Sequence, residues 1–435
     1  MRLLQKLCVS GSFLALAALL VSFSTAISWA QTESILYDFA GGSNGRNPVA
    51  GLTPDGHGNY FGVTYETDTT FGTVFELSPA SGSGWMLSTL YTFQGGDDGA
   101  DPNATLAIYA EGNLYGETSY GGNGKSVYCN AGCGTVFELS ANGKGGWSKT
   151  TLYNFQGNPP GSSFFDGSIP LGGLVLDRAG NLYGTTLLGG ESCSFSDAGC
   201  GVVFELSPST GGAWTETLIH KFYGQGGADP QGGVIFDAAG NLYGTTYEGG
   251  PSNCGTVFEL SPKSGGGWTS SVLHTFSCSD GWYSSTPSAG LVMDSKGNLY
   301  GTTPSGGFFG SGVAFELERS GSTWKEVPVF QFNGVSGGYY PLGPLTIDSS
   351  GNLYGTTEAG PAVDALCPEQ DGCGVVFKLT QSAGKWQEST VYAFKGEPDG
   401  TGPSGPVTID SQGNIFGVTA VGGTDNLGAI YEITP

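Results

Sequence analysis

The stretch "GNLYGTT" at Gly180–Thr186 recurs letter for letter at 240–246, 297–303 and 351–357. Looser copies are GNYFGVT at 58–64, GNLYGET at 112–118 and GNIFGVT at 413–419. Self-similarity at a spacing of several tens of residues is the sequence signature of a repeat architecture. The seven copies therefore indicate the fold more directly than any single residue does.

Each repeat unit contains four apolar segments in a fixed order. A short run such as GLVLD (173–177) precedes the GN motif, and a run such as GTVFELS (255–261) follows it after a variable loop. The unit ends with a Trp and then an aromatic pair, as in Trp85, Tyr91 and Phe93. Residues two apart in a strand share a face, so this alternation predicts four β-strands per unit.

Acidic residues also repeat, and we interpret them as structural. An Asp stands three residues before the GN glycine in six units, at Asp55, Asp177, Asp237, Asp294, Asp348 and Asp410. Asp-x-x-Gly between apolar runs is typical of a hairpin, where the Asp caps the turn and the Gly takes a positive φ. A ring of catalytic acids is the alternative. The Glu repeated in the third strand, from Glu76 to Glu432, is expected to pair with Thr hydroxyls or backbone between units.

The two ends of the chain complete the fold prediction. Residues 34–39 (SILYDF) match a fourth strand with no unit before it, and the last unit stops after a third strand, GAIYEITP. Pairing of the terminal strands in one blade leaves no open sheet edge. We predict an all-β seven-bladed β-propeller with four antiparallel strands per blade. The last blade is closed by residues 34–39, in a single domain over residues 31–435.

Residues 1–30 differ from the rest of the chain. Arg2 and Lys6 precede an apolar run that ends in small residues at Ala30, which is typical of a secretory signal peptide cleaved near Ala30. A membrane anchor is the alternative. Cleavage leaves 13 basic and 38 acidic residues, a formal charge of −25. Nucleic acid is excluded as a partner because phosphate binding needs clustered Lys and Arg. We expect an extracytoplasmic monomer (secreted, periplasmic or at the cell surface) without a membrane span after cleavage.

The cysteines agree with export. Eight remain after residue 30, and they fall into pairs as Cys129/Cys133, Cys193/Cys200, Cys254/Cys278 and Cys367/Cys373. An even number of cysteines in an exported chain is typical of disulfides. A metal site is the alternative, but the spacing is irregular and no histidine lies near the three local pairs.

The order P…GGL…D..GNLYGTT..GG…GTVFELSP…GGW…LYTF resembles the GloVer (Gloeo-Verruco) tandem repeat of exported bacterial proteins. The resemblance covers essentially all of residues 31–435. The core "GL.xD..GN.Y" is also similar to the blades of NHL and streptogramin-lyase type propellers. The resemblance implies an exported propeller-like protein, and it brings no catalytic residues that can be transferred to this chain.

Strand alternation places the loops on two faces of the propeller. The second-to-third and fourth-to-first connections open on one face, which we call the long-loop face, and they vary most between units. Variable loops on a constant scaffold commonly carry function. The candidate ligand-binding residues there are the acidic Asp97, Asp98, Asp101 and Asp229 and the aromatic Tyr120, Phe164, Phe165, Trp282, Tyr283, Phe308, Tyr339 and Tyr340.

These residue types favour binding over catalysis. Exposed aromatic side chains suit sugar rings or protein partners. His220 and His274 occupy repeat positions held elsewhere by Tyr or Phe, so we predict core packing for them. The leading hypothesis is a non-catalytic module that binds a glycan or a protein. The alternative is a carbohydrate-active or lactone-active lyase or hydrolase that uses loop carboxylates. Acidic turns could hold Ca²⁺, but no calcium-loop motif is present, and no metal site or cofactor is predicted.

Overall fold

Seven blades of four antiparallel strands surround a common axis, as the repeats predict. In the computed structural model the described residues are 31–65, 71–82, 84–109, 112–158, 166–191, 193, 196–278, 284–334, 337–360, 367 and 372–435. The predicted signal peptide, residues 1–30, lies outside this range. No helix among the described residues is long and apolar enough to cross a membrane.

The strands of the first four blades follow the predicted order. Blade 1 contains β2 (Thr53–Pro54), β3 (Tyr60–Thr64), β4 (Thr73–Pro79) and β5 (Trp85–Thr92). Blade 2 contains β6 (Ala107–Ile108), β7 (Leu114–Thr118), β8 (Thr135–Ala141) and β9 (Trp147–Asn154). Blade 3 contains β10 (Gly167–Pro170), β11 (Val175–Leu176), β12 (Leu182–Gly189), β13 (Val202–Pro208) and β14 (Trp214–Lys221). Blade 4 contains β15 (Ile235–Phe236), β16 (Leu242–Thr246), β17 (Thr256–Pro262) and β18 (Trp268–Thr275).

The remaining blades repeat the pattern with small additions. A short strand, β19 (Ser284–Ser285), pairs with β22 (Ser305–Gly306) beside blade 5, which contains β20 (Val292–Met293), β21 (Leu299–Thr303), β23 (Val313–Ser320) and β24 (Thr323–Gln331). Blade 6 contains β25 (Thr346–Ile347), β26 (Leu353–Thr357), β27 (Val375–Ser382) and β28 (Lys385–Ala393). Two single-turn 3₁₀ helices lie at Gly42–Asn44 and Gly96–Asp98.

The N-terminal strand closes the ring. Blade 7 contains β29 (Gly400–Ile409), β30 (Ile415–Gly422) and β31 (Ala429–Thr434), and its outer strand is β1 (Thr32–Asp38). The register runs antiparallel from Thr32 opposite Thr434 to Asp38 opposite Ala429. This confirms the predicted closure, with the strand beginning two residues earlier than the sequence pattern indicated.

The hairpin role of the repeated Asp is confirmed. Asp177 Oδ1 accepts hydrogen bonds from the backbone N–H groups of Ala179 and Asn181, and its Oδ2 accepts one from the Asn181 side chain at 2.8 Å. Gly180 between them has φ +86°. The same three bonds form around Asp55, Asp237, Asp294, Asp348 and Asp410. These carboxylates are committed to the turns.

The hydrophobic core is divided into seven clusters, each between two neighbouring blades. At every seam the Phe that follows the fourth strand packs edge-on against the third-strand aromatic ring of the next blade. Ring centroids are 5.0–5.6 Å apart, from Phe39–Phe75 to Phe394–Tyr431. Such aromatic pairs add stabilisation beyond the area that they bury. A blade is thus stable only between its neighbours.

The glycine within GNLYGTT is required by the same packing. The third-strand Phe ring lies across the second strand at this glycine, so a Cβ on Gly244 would be 2.5 Å from Phe258 Cζ. All seven blades show this approach, and in blade 7 the ring is that of Tyr431 against Gly417.

We expect Gly244→Ala to lower the free energy of unfolding by about 1–3 kcal/mol, the usual cost of overpacking a core. The matched control is Gly226→Ala, where a Cβ meets nothing within 4 Å, and it should be neutral or slightly stabilising. Urea midpoints measured by tryptophan fluorescence distinguish the two. Equal midpoints for both variants would contradict this account of the glycine.

The repeated third-strand Glu is structural, but its partner is not the one predicted from sequence. The Tyr of GNLYGTT hydrogen-bonds to it, as for Tyr115 and Glu138 at 2.9 Å and Tyr300 and Glu316 at 2.9 Å. The Thr hydroxyls instead cross the seam. Thr245 Oγ1 donates to the carbonyl of Ala289 in the next blade at 2.8 Å, with equivalent bonds from Thr185, Thr302 and Thr356.

Candidate functional site

A cavity of about 460 Å³ runs along the propeller axis and is lined by all seven blades. Its walls are the residues that lead into the first strands, for example Ala104, Gly172, Gly232 and Gly405. No lining residue has a side chain that titrates between pH 2 and 12. The described lining of this cavity therefore contains no candidate general acid or base, since such catalysis needs a titratable group within hydrogen-bond reach of the substrate.

A ring of seven prolines surrounds the mouth of this cavity on the long-loop face. The residue before each proline has a left-handed backbone with φ between +52° and +61°. These residues are Asn47, Asp101, Ile169, Asp229, Thr286, Tyr340 and Gly402. The proline Cδ lies over the glycine that precedes the third strand of the previous blade, where a Cβ would be 2.5–2.7 Å away. Left-handed geometry is unusual for non-glycine residues and extreme for a β-branched one such as Ile169.

Backbone hydrogen bonds fix this ring to the neighbouring blade. The N–H of Asp101 donates to Phe71 O at 2.9 Å and the N–H of Tyr340 to Ser311 O at 3.1 Å, with equivalent bonds at the other five positions. Four acceptors are the carbonyls of Cys133, Cys200, Cys254 and Cys373. We call this repeated contact the inter-blade latch.

The four predicted disulfides are confirmed, and each fixes one latch residue. They are Cys129–Cys133, Cys193–Cys200, Cys254–Cys278 and Cys367–Cys373. In each pair one cysteine is the residue whose carbonyl accepts the bond from the next blade. The disulfides therefore hold loops of the long-loop face against the ring.

The long-loop face comprises the connections between second and third strands and between fourth and first strands. Its segments are 39–52, 65–72, 93–106, 119–134, 155–174, 190–201, 222–234, 247–255, 276–291, 304–312, 332–345, 358–374, 394–399 and 423–428. The candidate residues that the structure describes all belong to these segments. Phe164, Phe165, Trp282 and Tyr283 lie outside the described residues.

The acidic candidates near blades 1 and 2 do not form one site. Asp98 is committed to structure, because its carboxylate accepts bonds from the Tyr91 hydroxyl at 2.7 Å and the Gln94 N–H at 2.8 Å and lies 3.0 Å from Lys149 Nζ. Asp97 is exposed in the adjacent 3₁₀ turn. Asp101 belongs to the proline ring. Tyr120 pairs through its backbone with Ala100.

Asp229 stands at the ring on the opposite side of the propeller. Burial, together with the nearby carboxylate of Glu248, raises the pKa of Asp229 to about 6. The segments that contain Asp229 and Glu248 are joined through their backbones, because Ala228 and Glu248 exchange two hydrogen bonds. The result is a local excess of negative charge at the mouth of the cavity.

The aromatic candidates of blade 5 do come together. Tyr339 and Tyr340 pack edge-on with ring centroids 5.0 Å apart, and Phe308 and Phe309 do the same at 5.1 Å. The Tyr340 N–H bond to Ser311 O joins their two loops. Exposed fractions are 61% for Phe308, 57% for Phe309 and 44% for Tyr340, and Leu342 at the cavity mouth is 43% exposed. We call Phe308, Phe309, Tyr340 and Leu342 the aromatic patch.

Sequence reasoning found part of this patch. It did not select Phe309 or Leu342; the available signal for Leu342 was its position directly after a ring proline, because the residues at this position in the other blades also line the cavity. Large apolar side chains that are exposed on adjoining loops are candidates for a binding surface or an interface. The patch is the strongest binding feature on the described part of the long-loop face.

A second cleft lies at the outer seam of blades 6 and 7, lined by Glu33, Asp38, Tyr392, Lys395 and Asp399 among others. Burial and the nearby Asp399 carboxylate together raise the pKa of Glu33 to about 7, although Lys395 and the Tyr392 hydroxyl oppose the rise. Asp399 accepts bonds from the Tyr392 hydroxyl at 2.9 Å and from the N–H groups of Lys395 and Gly400.

The two seam histidines pack against Phe rings, as predicted for them. His220 lies 4.6 Å from Phe222 and His274 4.8 Å from Phe276, centroid to centroid. Burial lowers the pKa of His220 to about 4. His274 also lies 3.1 Å from the Glu326 carboxylate of the next blade, a contact that the repeat pattern did not indicate. Among the described residues no group of three or more His, Cys, Asp or Glu is arranged to hold a metal ion.

Solved structures similar to this chain are propeller-like enzymes of low sequence identity. An ulvan lyase of polysaccharide lyase family PL25, bound to -[GlcA(1-4)Rha3S]-, is 14% identical over 92% of this chain and 95% of its own, with a TM-score of 0.51. An ancestral GH74 enzyme is 12% identical over 89% of this chain and 51% of its own, also at 0.51. The PQQ-bound aldose sugar dehydrogenase of Streptomyces coelicolor is 14% identical over 78% and 96%, at 0.43. The two likenesses with a TM-score of 0.51 support the fold alone.

No curated protein matches the chain. A family description does match, over residues 21–212 and 192–365, and it is that of the Gloeobacter/Verrucomicrobia repeat. The matched region contains six of the seven ring prolines, all but Pro403, and most of the long-loop face. The chain therefore belongs to the Gloeobacter/Verrucomicrobia repeat family.

Proposed function

We propose that this protein is a glycan-binding propeller that holds its ligand on the long-loop face, against the aromatic patch. The observation that carries the proposal is the exposure of four large apolar side chains together on two hydrogen-bonded loops of blade 5. Sugar rings have flat C–H faces that pack on aromatic rings. Their hydroxyls suit the amide and carboxylate groups that surround the patch.

The axial cavity supports binding rather than turnover. Its lining combines small apolar residues with the amide and hydroxyl groups of Asn103, Gln231, Ser288 and Ser404. Such a wall can donate and accept hydrogen bonds but cannot transfer protons at neutral pH. A glycan chain that lies on the patch reaches the cavity mouth at Leu342.

A carbohydrate-active or lactone-active enzyme is the second candidate, favoured by the cleft with Glu33 and Asp399. A carboxyl group with a raised pKa beside another carboxylate is the usual arrangement for acid–base work. However, the Tyr392–Asp399 pair recurs in blades 1 and 2 as Tyr91–Asp98 and Tyr153–Asp166. This recurrence favours a role in holding the loop after the fourth strand.

We infer that the protein works outside the cytoplasm and is exported by a signal peptide at residues 1–30. Four disulfides on one face support this, because disulfides persist in oxidising compartments. We propose that it acts as a monomer. The similarity of the blade core to NHL and streptogramin-lyase propellers stays a sequence prediction.

Co-sedimentation with a panel of insoluble polysaccharides tests the proposal. We expect binding to at least one of them and at least about a tenfold loss of affinity in the Phe308→Ala/Phe309→Ala double variant, as for the truncation of aromatic hot spots. Because both rings are exposed, the stability of the variant should match that of the parent protein.

The matched control is Tyr109→Ala, which removes a partly exposed ring from a hairpin on the opposite face. It should bind like the parent protein. Soluble sugar released from any polysaccharide, and lost in Glu33→Gln, would favour the enzyme instead. Absence of both binding and release would favour a protein ligand.

A further inference from the structure

The two faces of the propeller carry very different charge. By sequence, the segments of the long-loop face contain 18 acidic and three basic residues, a net charge of −15. The hairpins of the opposite face contain seven acidic and four basic residues, a net charge of −3. Six of those seven acids are the Asp residues committed to turns. Most of the net negative charge of the loops therefore lies on the long-loop face.

Blade 5 interrupts this acidic surface. Its two segments, 304–312 and 332–345, contain no charged residue and carry the whole aromatic patch. Acidic residues lie on the long-loop face of both neighbouring blades. On the blade 6 side the Glu358 N–H donates to Tyr340 O at 3.1 Å, which joins the backbone of Glu358 to that of the patch residue Tyr340. On the blade 4 side Glu248 lies beside Asp229 at the ring.

This pattern selects the charge of the ligand. We propose that the glycan bound by the aromatic patch carries protonated amines, as in a polymer of glucosamine units. The proposal rests on the glycan-binding function proposed above. Ring faces of such a chain pack on Phe308, Phe309 and Tyr340, while its ammonium groups lie near the bordering carboxylates. A polyanionic glycan meets net repulsion over the whole face, which acts within about 10 Å at 0.1 M salt.

A matched pair of oligosaccharides tests the charge preference directly. Glucosamine oligomers and their N-acetylated forms share one backbone and differ in charge, so calorimetry near pH 6 compares them on the same protein. We expect the amine form to bind at least about tenfold more tightly at low salt. The difference should shrink as salt is raised, because screening weakens only the charged contribution.

Two variants separate the contributions. Glu358→Gln should reduce the preference for the amine form by about threefold or more and leave the N-acetylated form unchanged. The control is Glu318→Gln, an exposed carboxylate on the outer part of β23, which should leave the preference unaltered. The Phe308→Ala/Phe309→Ala variant should weaken both ligands equally.

The outcomes distinguish this inference from the proposed function. Equal affinity for the two oligomers, or a preference that does not depend on salt, overturns the charge preference and leaves glycan binding intact. Tighter binding of a polyanionic glycan overturns it as well. Failure to bind either oligomer, together with failure on the polysaccharide panel, overturns the glycan function itself.

Discussion

Removal of residues 31–38 should abolish the cooperative folding of the whole propeller, although it deletes a single strand. β1 supplies Ile35 to the cluster between blades 6 and 7 and Leu36 and Tyr37 to the cluster between blades 7 and 1. Losing three such side chains costs about 5 kcal/mol, and the ladder to β31 is lost with them. That sum is comparable with the net stability of about 5–15 kcal/mol of an ordinary folded protein. Urea titration followed by circular dichroism should show no cooperative transition.

A circular permutant is the matched control for the deletion. Thr434 Oγ1 donates to Thr32 O at 3.3 Å, so the two chain ends lie side by side and a short linker can join them. A chain joined there and opened in the exposed hairpin 80–84 retains β1 and should unfold cooperatively. If the deletion variant kept the parent midpoint, β1 would be an accessory strand and blade 7 would be stable with three.

The repeat made the fold predictable and also limited what could be predicted from it. Seven concordant copies fix the four-strand blade, the Asp turn and the closure by the N-terminal strand, because each is a local pattern that recurs. The left-handed residue before each ring proline also recurs, but it is occupied by Asn, Asp, Ile, Thr, Tyr or Gly. No residue type is specific to that backbone geometry, so the inter-blade latch could not be predicted from the sequence.

The candidate site could be predicted only in part, because contacts from a neighbouring blade are not visible in the sequence of a loop. Acidic loop residues such as Asp98 look free in a sequence, since the hydroxyl, N–H and ammonium groups that bind it come from Tyr91, Gln94 and the next blade's Lys149. Exposed aromatic residues are easier to predict, because Phe308 and Tyr340 are large aromatic residues at loop positions that hold other residue types in most blades. Contact between those loops depends on one backbone bond across the seam.

Polar contacts across the seams differ between blades in a way that the repeat does not predict. Lys149 pairs with Asp98 between blades 1 and 2, whereas the equivalent Glu216 faces Asp166 between blades 2 and 3. Burial and the nearby Asp166 carboxylate together raise the pKa of Glu216 to about 8, although Lys221 opposes the rise. Carboxyl groups at such seams stabilise the fold when protonated and weaken it when ionised.

Glu117 should show this effect most strongly, and Glu117→Thr should stabilise the protein at neutral pH. Its position holds Thr in four blades, where the hydroxyl bonds to the next blade, and Val in the other two. Glu117 is fully buried, with Oε2 accepting the Gly173 N–H at 3.0 Å and Oε1 without a hydrogen-bond partner. Burial raises the pKa of Glu117 to about 8 from an ordinary value of 4.5, although the Gly173 bond opposes the rise.

A raised pKa means that the folded protein binds the proton more tightly than the unfolded chain. The contribution of Glu117 to stability is therefore complete below about pH 4.5 and is lost as the pH rises through about 8. At pH 7 the folded protein holds Glu117 mainly protonated while the unfolded chain has it ionised, and this uptake of a proton costs the fold about 3 kcal/mol. Replacement by Thr removes this cost and leaves a small void worth about 1 kcal/mol. We expect a gain of about 2 kcal/mol at pH 7 and a loss of about 1 kcal/mol at pH 4.

The reversal of sign with pH is the decisive observation. Urea midpoints of the parent protein and of Glu117→Thr are compared at pH 4, 6 and 8. The difference in stability between the two proteins reports on Glu117, because all other groups titrate alike in both. Glu318→Gln, which alters an exposed carboxyl on β23, should change stability little at any of these pH values. A difference for Glu117→Thr that stays constant from pH 4 to pH 8 would mean that Glu117 is ionised throughout, with its Oε1 satisfied by a partner such as a buried water. The carboxyl would then be an ordinary component of the seam rather than its weakest point at alkaline pH.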